Sequence, residues 1–210
     1  NANVKKSIFS FLEENVTSFD FYCSFWDFNE IDKLRSEYSP IQVKSESWAD
    51  WKQDNKALID KFMNNTDVPY NYAIGGILGQ WYQIHKCFSL IKNPYEYDII
   101  IRTRTDIVFP TFNIKNLNLD YVYVESPYLN DYGYKDMFFF SNPKNMEHIT
   151  NLFPNIHTLK LLPNSTHPGR SFHHVLAEHV FRSRVDQKCN TKYFAYPKTE
   201  HADDYFERIR

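Results

Sequence analysis

The sequence predicts a single α/β domain in which helices cover a mostly parallel sheet. Three observations carry this expectation. An amphipathic helical pattern at the amino end feeds straight into an apolar strand pattern; helical and strand patterns keep alternating without an internal repeat; and a long extended run at 97–109 carries Ile99, Ile100 and Ile101 near its start. The chain has 210 residues, 42% of them apolar, enough for one substantial core around one sheet. No stretch rich in Gly, Ser or Pro divides it, so residues 1–210 are read as one domain.

The elements follow in order. Residues 4–15 place Val4, Ile8, Phe11 and Leu12 on one helical face, and residues 19–25 read as a strand. Trp26 to Tyr38 reads as a loop and short helix, and Trp48 to Met63 as one helical stretch with Trp48, Trp51, Leu58 and Phe62 among its apolar positions. A longer helix follows Pro69, where Ile74, Ile77, Leu78, Trp81, Ile84, Phe88 and Ile91 keep the spacing of a buried stripe until Asn93 and Pro94 end it. Gly75, Gly76 and Gly79 interrupt this helix at about 1 kcal/mol each relative to Ala, which implies close backbone approach. The approaching group is either the sheet, through tight packing, or a ligand at the helix start. Beyond the run at 97–109, strands are expected at Tyr121–Glu125, Met137–Ser141 and Tyr193–Tyr196, with helices near Asn145–Phe153 and Phe172–Arg184.

Composition removes several classes of function. A formal net charge of −2 gives no clustered basic face for nucleic acid. Cys23, Cys87 and Cys189 are widely spaced, without the paired spacing of a zinc ribbon, and read as reduced structural thiols of a cytoplasmic protein. No run approaches a membrane span, and no signal peptide is evident. The glycosylation-type tripeptides at Asn15, Asn64 and Asn164 are read as chance matches in an Asn-rich chain.

The chemistry concentrates in the extended run. Alternate residues of a strand share a face, so Arg102, Arg104 and Asp106 are expected to project together from a segment that starts in the core. An Arg–Asp ion pair at the sheet rim is one explanation. Two guanidinium groups against one carboxylate leave excess positive charge near the core, however, which an arriving anion would complete. A nucleoside diphosphate fits: arginine grips phosphate oxygens in pairs, and a carboxylate holds a divalent cation that bridges the phosphates.

The segment from Gln80, Trp81 and Tyr82 through Arg102, Arg104 and Asp106 resembles small GT-A glycosyltransferases of surface-polysaccharide gene clusters and of large DNA viruses, including algal viruses that glycosylate their capsids. The resemblance covers about residues 80–185 and implies a GT-A-like α/β/α sandwich. It further implies a nucleotide-sugar donor, a UDP-sugar favoured, and a glycan or glycoprotein acceptor, with activity in the cytoplasm, the host's if the source is viral. The Arg-x-Arg-x-Asp end looks like a shortened DxD motif, which makes Asp106 the residue for Mn²⁺ or Mg²⁺ and Arg102, Arg104 and Asp106 the donor-binding set. Asp136, before an expected strand, and Glu178, on a late helix, are similar to the family's later acidic residues and are the implied catalytic groups.

Two departures accompany the resemblance. The family's usual first strand and nucleoside-binding turn precede the first helix, whereas this sequence opens at that helix. Arg104 also stands where the first DxD carboxylate would be, so the second metal ligand is sought among His167, His173, His174 and His201. His174 and Glu178 lie one helical turn apart, a spacing that reads first as a solvated helix face and otherwise as a metal clamp or an acid–base pair. Asp203 and Asp204 read as a helix cap. The alternative functional reading is a glycan- or nucleotide-binding domain of the same fold without turnover. A two-metal phosphohydrolase would need more clustered carboxylates than the chain offers.

Overall fold

A computed structural model describes residues 2–64, 71–105, 113–125, 135–156 and 190–194. The first helix, α1 (Ala2–Asn15), buries Val4, Ile8, Phe11 and Leu12, the face its periodicity assigns. Its last residue is a clamp: the Asn15 amide donates to the Phe11 carbonyl at 2.8 Å, and its oxygen accepts from the Ile114 backbone N–H at 2.7 Å. Strand β1 (Tyr22–Trp26) starts later than expected from the apolar run. Helix α2 (Ile31–Tyr38) ends where Ser39 turns left-handed at φ 46°.

Strand β2 (Gln42–Glu46) was not anticipated, because Val43 is its single apolar residue. It pairs in parallel with β1, from Tyr22 opposite Gln42 to Trp26 opposite Glu46, so tertiary pairing rather than local pattern makes it a strand. The stretch expected as one helix is two, α3 (Trp48–Asp54) and α4 (Lys56–Asn64). Ser47 caps α3 by accepting from the Asp50 N–H at 3.2 Å, and Asn55 at the break returns its amide to the Trp51 carbonyl at 3.0 Å.

Helix α5 (Asn71–Ser89) buries Leu78, Trp81 and Ile84 as the stripe requires, and Ile91 falls beyond its end. A 3-10 turn at Pro94–Glu96 leads to β3 (Ile100–Arg102), much shorter than the run that suggested it. There follow β4 (Tyr121–Glu125), β5 (Lys135–Ser141), α6 (Pro143–Thr150), α7 (Leu152–Asn155) and β6 (Asn190–Phe194). Asn142 caps α6 by accepting from the Asn145 N–H at 3.0 Å, with proline in the first turn.

The second sheet has the order β3-β5-β4-β6. β5 runs antiparallel to both β3 and β4, while β4 and β6 are parallel. The four-stranded sheet is therefore mixed, and the expectation of a mostly parallel sheet fails around β5. The reason is chain length. Only residues 126–134 join β4 to β5, fewer than the dozen or so a parallel crossover takes, so the chain must return antiparallel.

Alternation along the strands builds two cores, one on each face. Phe138 and Phe140 of β5, Tyr123 of β4 and Ile101 of β3 pack with Val4, Ile8, Phe11 and Leu12 of α1. Phe139, Val122 and Ile100 face the other way, against Leu78, Trp81 and Ile84 of α5, Met146 and Ile149 of α6 and Leu152 of α7. The same division reaches β1, whose Trp26 joins the α5 side while the preceding Phe21 joins the α1 side. Helices thus cover both faces, and the α/β class is as the alternation of patterns predicts.

Candidate functional site

The carboxyl ends of parallel strands are where open α/β sheets gather ligands, because the strand-to-helix turns leave a crevice there. Contacts along α5 fix its direction over β1. Gly79 lies against Trp26 and Trp48, the Gln83 oxygen accepts from Ser24 Oγ, its amide nitrogen donates to the Phe25 carbonyl at 3.3 Å, and the Cys87 thiol donates to the Tyr22 carbonyl at 3.2 Å. Numbers rise along α5 as they fall along β1, so the amino half of α5 stands over the carboxyl ends of β1 and β2.

Gly79 has its place for a packing reason. A Cβ there would come within 2.8 Å of Trp48 Cη2, closer than side chains tolerate. Gly75 and Gly76 differ: a Cβ at either meets nothing within 4 Å. Close packing therefore accounts for one of the three glycines in this helix.

Around Gly79 the carboxyl end of the β1–β2 pair is lined with rings. Trp48 and Trp51 stack at 5.1 Å, Trp26 and Tyr82 at 5.6 Å, and Trp26 meets Trp48 edge-on at 5.1 Å. Glu46, the last residue of β2, accepts from Tyr82 Oη at 3.1 Å and from Lys44 Nζ at 2.9 Å, both through Oε1. Burial first, and the neighbouring Glu46 charge next, push the Tyr82 hydroxyl up to about 12. Asp27, the next residue after β1, has φ 44° and accepts from the Trp48 N–H at 3.2 Å, tying the β1 turn to the start of α3.

Of the residues singled out from sequence, Arg102 is the best placed. It is the last residue of β3, opposite Phe139 of β5, and its guanidinium lies 5.5 Å from the Phe139 ring centroid. The far side of the α5 contact is close by, since the Trp81 ring stacks on the same Phe139 at 6.4 Å.

Arg104 is part-buried but lies outside the ladder. Its carbonyl accepts from Thr103 Oγ1 at 3.3 Å, a local turn contact that competes with strand pairing. Strand pairing therefore carries the expected shared face of Arg102, Arg104 and Asp106 no further than Arg102 among the described residues. β3 has one described ladder, with β5, and that ladder ends at Arg102.

Asp106 and Glu178 lie outside the described residues, as do the segment near 172–184 expected as a helix, the four candidate histidines, and Asp203 and Asp204. The Asp136 backbone is inside β5 rather than before it, because the strand starts at Lys135 instead of Met137. Among the described residues no three His, Cys, Asp or Glu side chains gather as cation ligands. Burial pushes the Cys23 thiol up to about 11 and the Cys87 thiol to about 12, so both stay protonated near neutrality and neither is a ready nucleophile. No described helix is long and apolar enough to cross a membrane.

Sequence reasoning passed over Glu46 and Tyr82. Glu46 ends a strand too polar to be recognised, and Tyr82 sits beside the buried stripe of α5. The signal available was the density of Trp and Tyr at 26, 48, 51 and 82, which only the pairing of β1 with β2 draws together. Comparison with protein-family models, with curated proteins and with solved structures finds no match for this chain.

Proposed function

We propose that this chain is a metal-dependent glycosyltransferase that moves a sugar from a nucleotide-sugar donor, a UDP-sugar favoured, to a glycan or glycoprotein acceptor. The observation that carries the reading is the position of Arg102. It closes β3 at the carboxyl end of a strand held between two helical layers, and the chain there continues through Arg104 to Asp106. A guanidinium at such an edge suits a diphosphate, which it grips through two parallel hydrogen bonds. The GT-A-like sandwich remains part of this proposal, supported by helices on both sheet faces.

The donor set in this reading is Arg102, Arg104 and Asp106, with Asp106 holding Mn²⁺ or Mg²⁺. With one carboxylate in the motif and no described three-ligand cluster, most of the cation's oxygen ligands would come from the donor's own phosphates. Such a cation stabilises negative charge on the departing nucleoside diphosphate. The chain's own part is to hold the diphosphate with Arg102 and Arg104 and to supply a carboxylate base, Asp136 or Glu178, which would take the acceptor hydroxyl's proton.

A thermal-shift screen of UDP-, GDP-, TDP- and CMP-sugars with and without Mn²⁺ tests the reading, because a ligand of the folded state raises its apparent stability. One donor class should raise the midpoint only when Mn²⁺ is present. A flat response to every donor and metal combination would reject it. Donor binding without transfer or hydrolysis would instead select the non-catalytic binding domain.

A further inference from the structure

Three Asn-x-Thr tripeptides stand in the sequence, and the side chain of the first, Asn15, is among the described ones. An acceptor of an N-linked sugar belongs on a surface loop, with its amide nitrogen open to the transferring enzyme. Asn15 is instead the last residue of α1 and is 7% exposed. Helical bonding continues past it, since the Val16 N–H donates to the Leu12 carbonyl at 2.8 Å.

Both ends of the Asn15 amide are in use. Nδ2 donates to the Phe11 carbonyl at 2.8 Å, and Oδ1 accepts from the Ile114 N–H at 2.7 Å. Phe11, Leu12 and Ile114 are buried in the core on the α1 side, and Val16 packs against the same cluster. The side chain therefore ties the end of α1 to the stretch that leads into β4, and the buried Ile114 donor depends on it.

Attaching a sugar changes this amide in a defined way. The Nδ2–C1 bond forms as the bond from C1 to a diphosphate leaving group breaks, one amide proton passes to a base of the transferring enzyme, and one N–H stays on Nδ2. A substituted amide sets its two carbon substituents trans, so the sugar C1 lands on the Oδ1 side, beside the Ile114 N–H. A pyranose ring at that point has to displace close-packed core side chains.

We propose that N-glycosylation of Asn15 and folding are mutually exclusive: the folded chain is closed to the modification, and a chain modified first cannot complete the core under α1. The functional protein therefore matures where the acceptor formed by Asn15, Val16 and Thr17 is left unmodified. This inference stands independently of the sugar-transfer reading.

Cys23 permits a direct test, because a synthetic thioester of residues 1–22 can be ligated to a recombinant chain that begins at Cys23. Three full-length chains are compared: one unmodified, one with N-acetylglucosamine on Asn15, and one with the same sugar on the asparagine of Thr17→Asn, an exposed position two residues away. The unmodified chain and the chain modified at position 17 should refold with the same urea midpoint and the same near-ultraviolet circular dichroism. The chain modified at Asn15 should show neither a cooperative urea transition nor the near-ultraviolet signal. A cooperative transition of the Asn15-modified chain at the midpoint of the unmodified one would overturn the proposal. Equal loss of folding at positions 15 and 17 would overturn it too, by showing that any sugar at this end of the chain is harmful and that the buried amide is not the cause.

Discussion

The Arg102 guanidinium sits 5.5 Å from the centre of the Phe139 ring, the residue directly opposite it in the β3–β5 ladder. The strand's last charge is thus held by a ring whose other neighbour is Trp81 of α5, at 6.4 Å. A planar, delocalised cation suits this position better than an ammonium, because it can lie over the ring while keeping its donors in the guanidinium plane.

Replacing Arg102 tests this arrangement from both sides. Arg102→Ala should destabilise the fold by about 1 kcal/mol through the lost ring contact and packed stem. It should also weaken UDP binding about tenfold or more if the guanidinium serves a diphosphate. Arg102→Lys should recover part of the affinity, since charge returns without the paired donors. Urea melts and UDP calorimetry read the two effects separately, and equal UDP affinity in all three proteins would remove Arg102 from the donor set.

Asp106→Asn addresses the metal. The substitution keeps the volume and one oxygen but removes the charge that attracts a hard cation. Coupling between Mn²⁺ and UDP should vanish, so that UDP affinity is the same in Mn²⁺ as in excess EDTA. Ligand-free stability should change by less than about 1 kcal/mol, whereas a buried ion pair broken at this position would cost about 3–5 kcal/mol. A badly destabilised variant that still couples UDP to Mn²⁺ would assign Asp106 to structure.

The glycines of α5 should respond in opposite directions. Gly79→Ala gains about 1 kcal/mol in helix propensity but drives a methyl group to within 2.8 Å of Trp48 Cη2, an overpacking that costs about 1–3 kcal/mol. A net loss is expected, with a change in tryptophan fluorescence as Trp48 shifts. Gly76→Ala meets nothing within 4 Å and should stabilise by about 1 kcal/mol. Denaturant melts of the pair decide, and equal effects would show that the Trp48 contact is loose.

His85 makes stability pH-dependent. Burial first, and then the adjacent Lys86 charge, lower its affinity for a proton from the ordinary 6.5, against an opposing hydrogen bond with the Thr150 backbone. The unfolded chain therefore binds the proton more readily than the folded one. The contribution of neutral His85 is fully present above about pH 6.5 and is lost as pH falls through that value towards the folded pKa. His85→Leu should flatten this segment of the stability profile between pH 7 and 5 relative to the native chain. Parallel profiles in the two proteins would show that His85 titrates alike in both states.

Local pattern determined the elements whose buried face runs along one segment. In α1 the positions Val4, Ile8, Phe11 and Leu12, and in α5 Leu78, Trp81 and Ile84, are buried as their spacing dictates, because a helix exposes or hides residues by a period internal to itself. The same reasoning yielded the α/β class and drew attention to Arg102. It did not yield β2, whose polar residues become a strand only because β1 supplies backbone partners. Nor could it stop β3 at Arg102, since an extended run continues as a strand only while a neighbour answers its hydrogen bonds. The gathering of Glu46, Trp51 and Tyr82 belongs to the same category. Each is unremarkable in its own segment, and they meet because a parallel pair and the helix packed over it bring three separate stretches of chain to one edge.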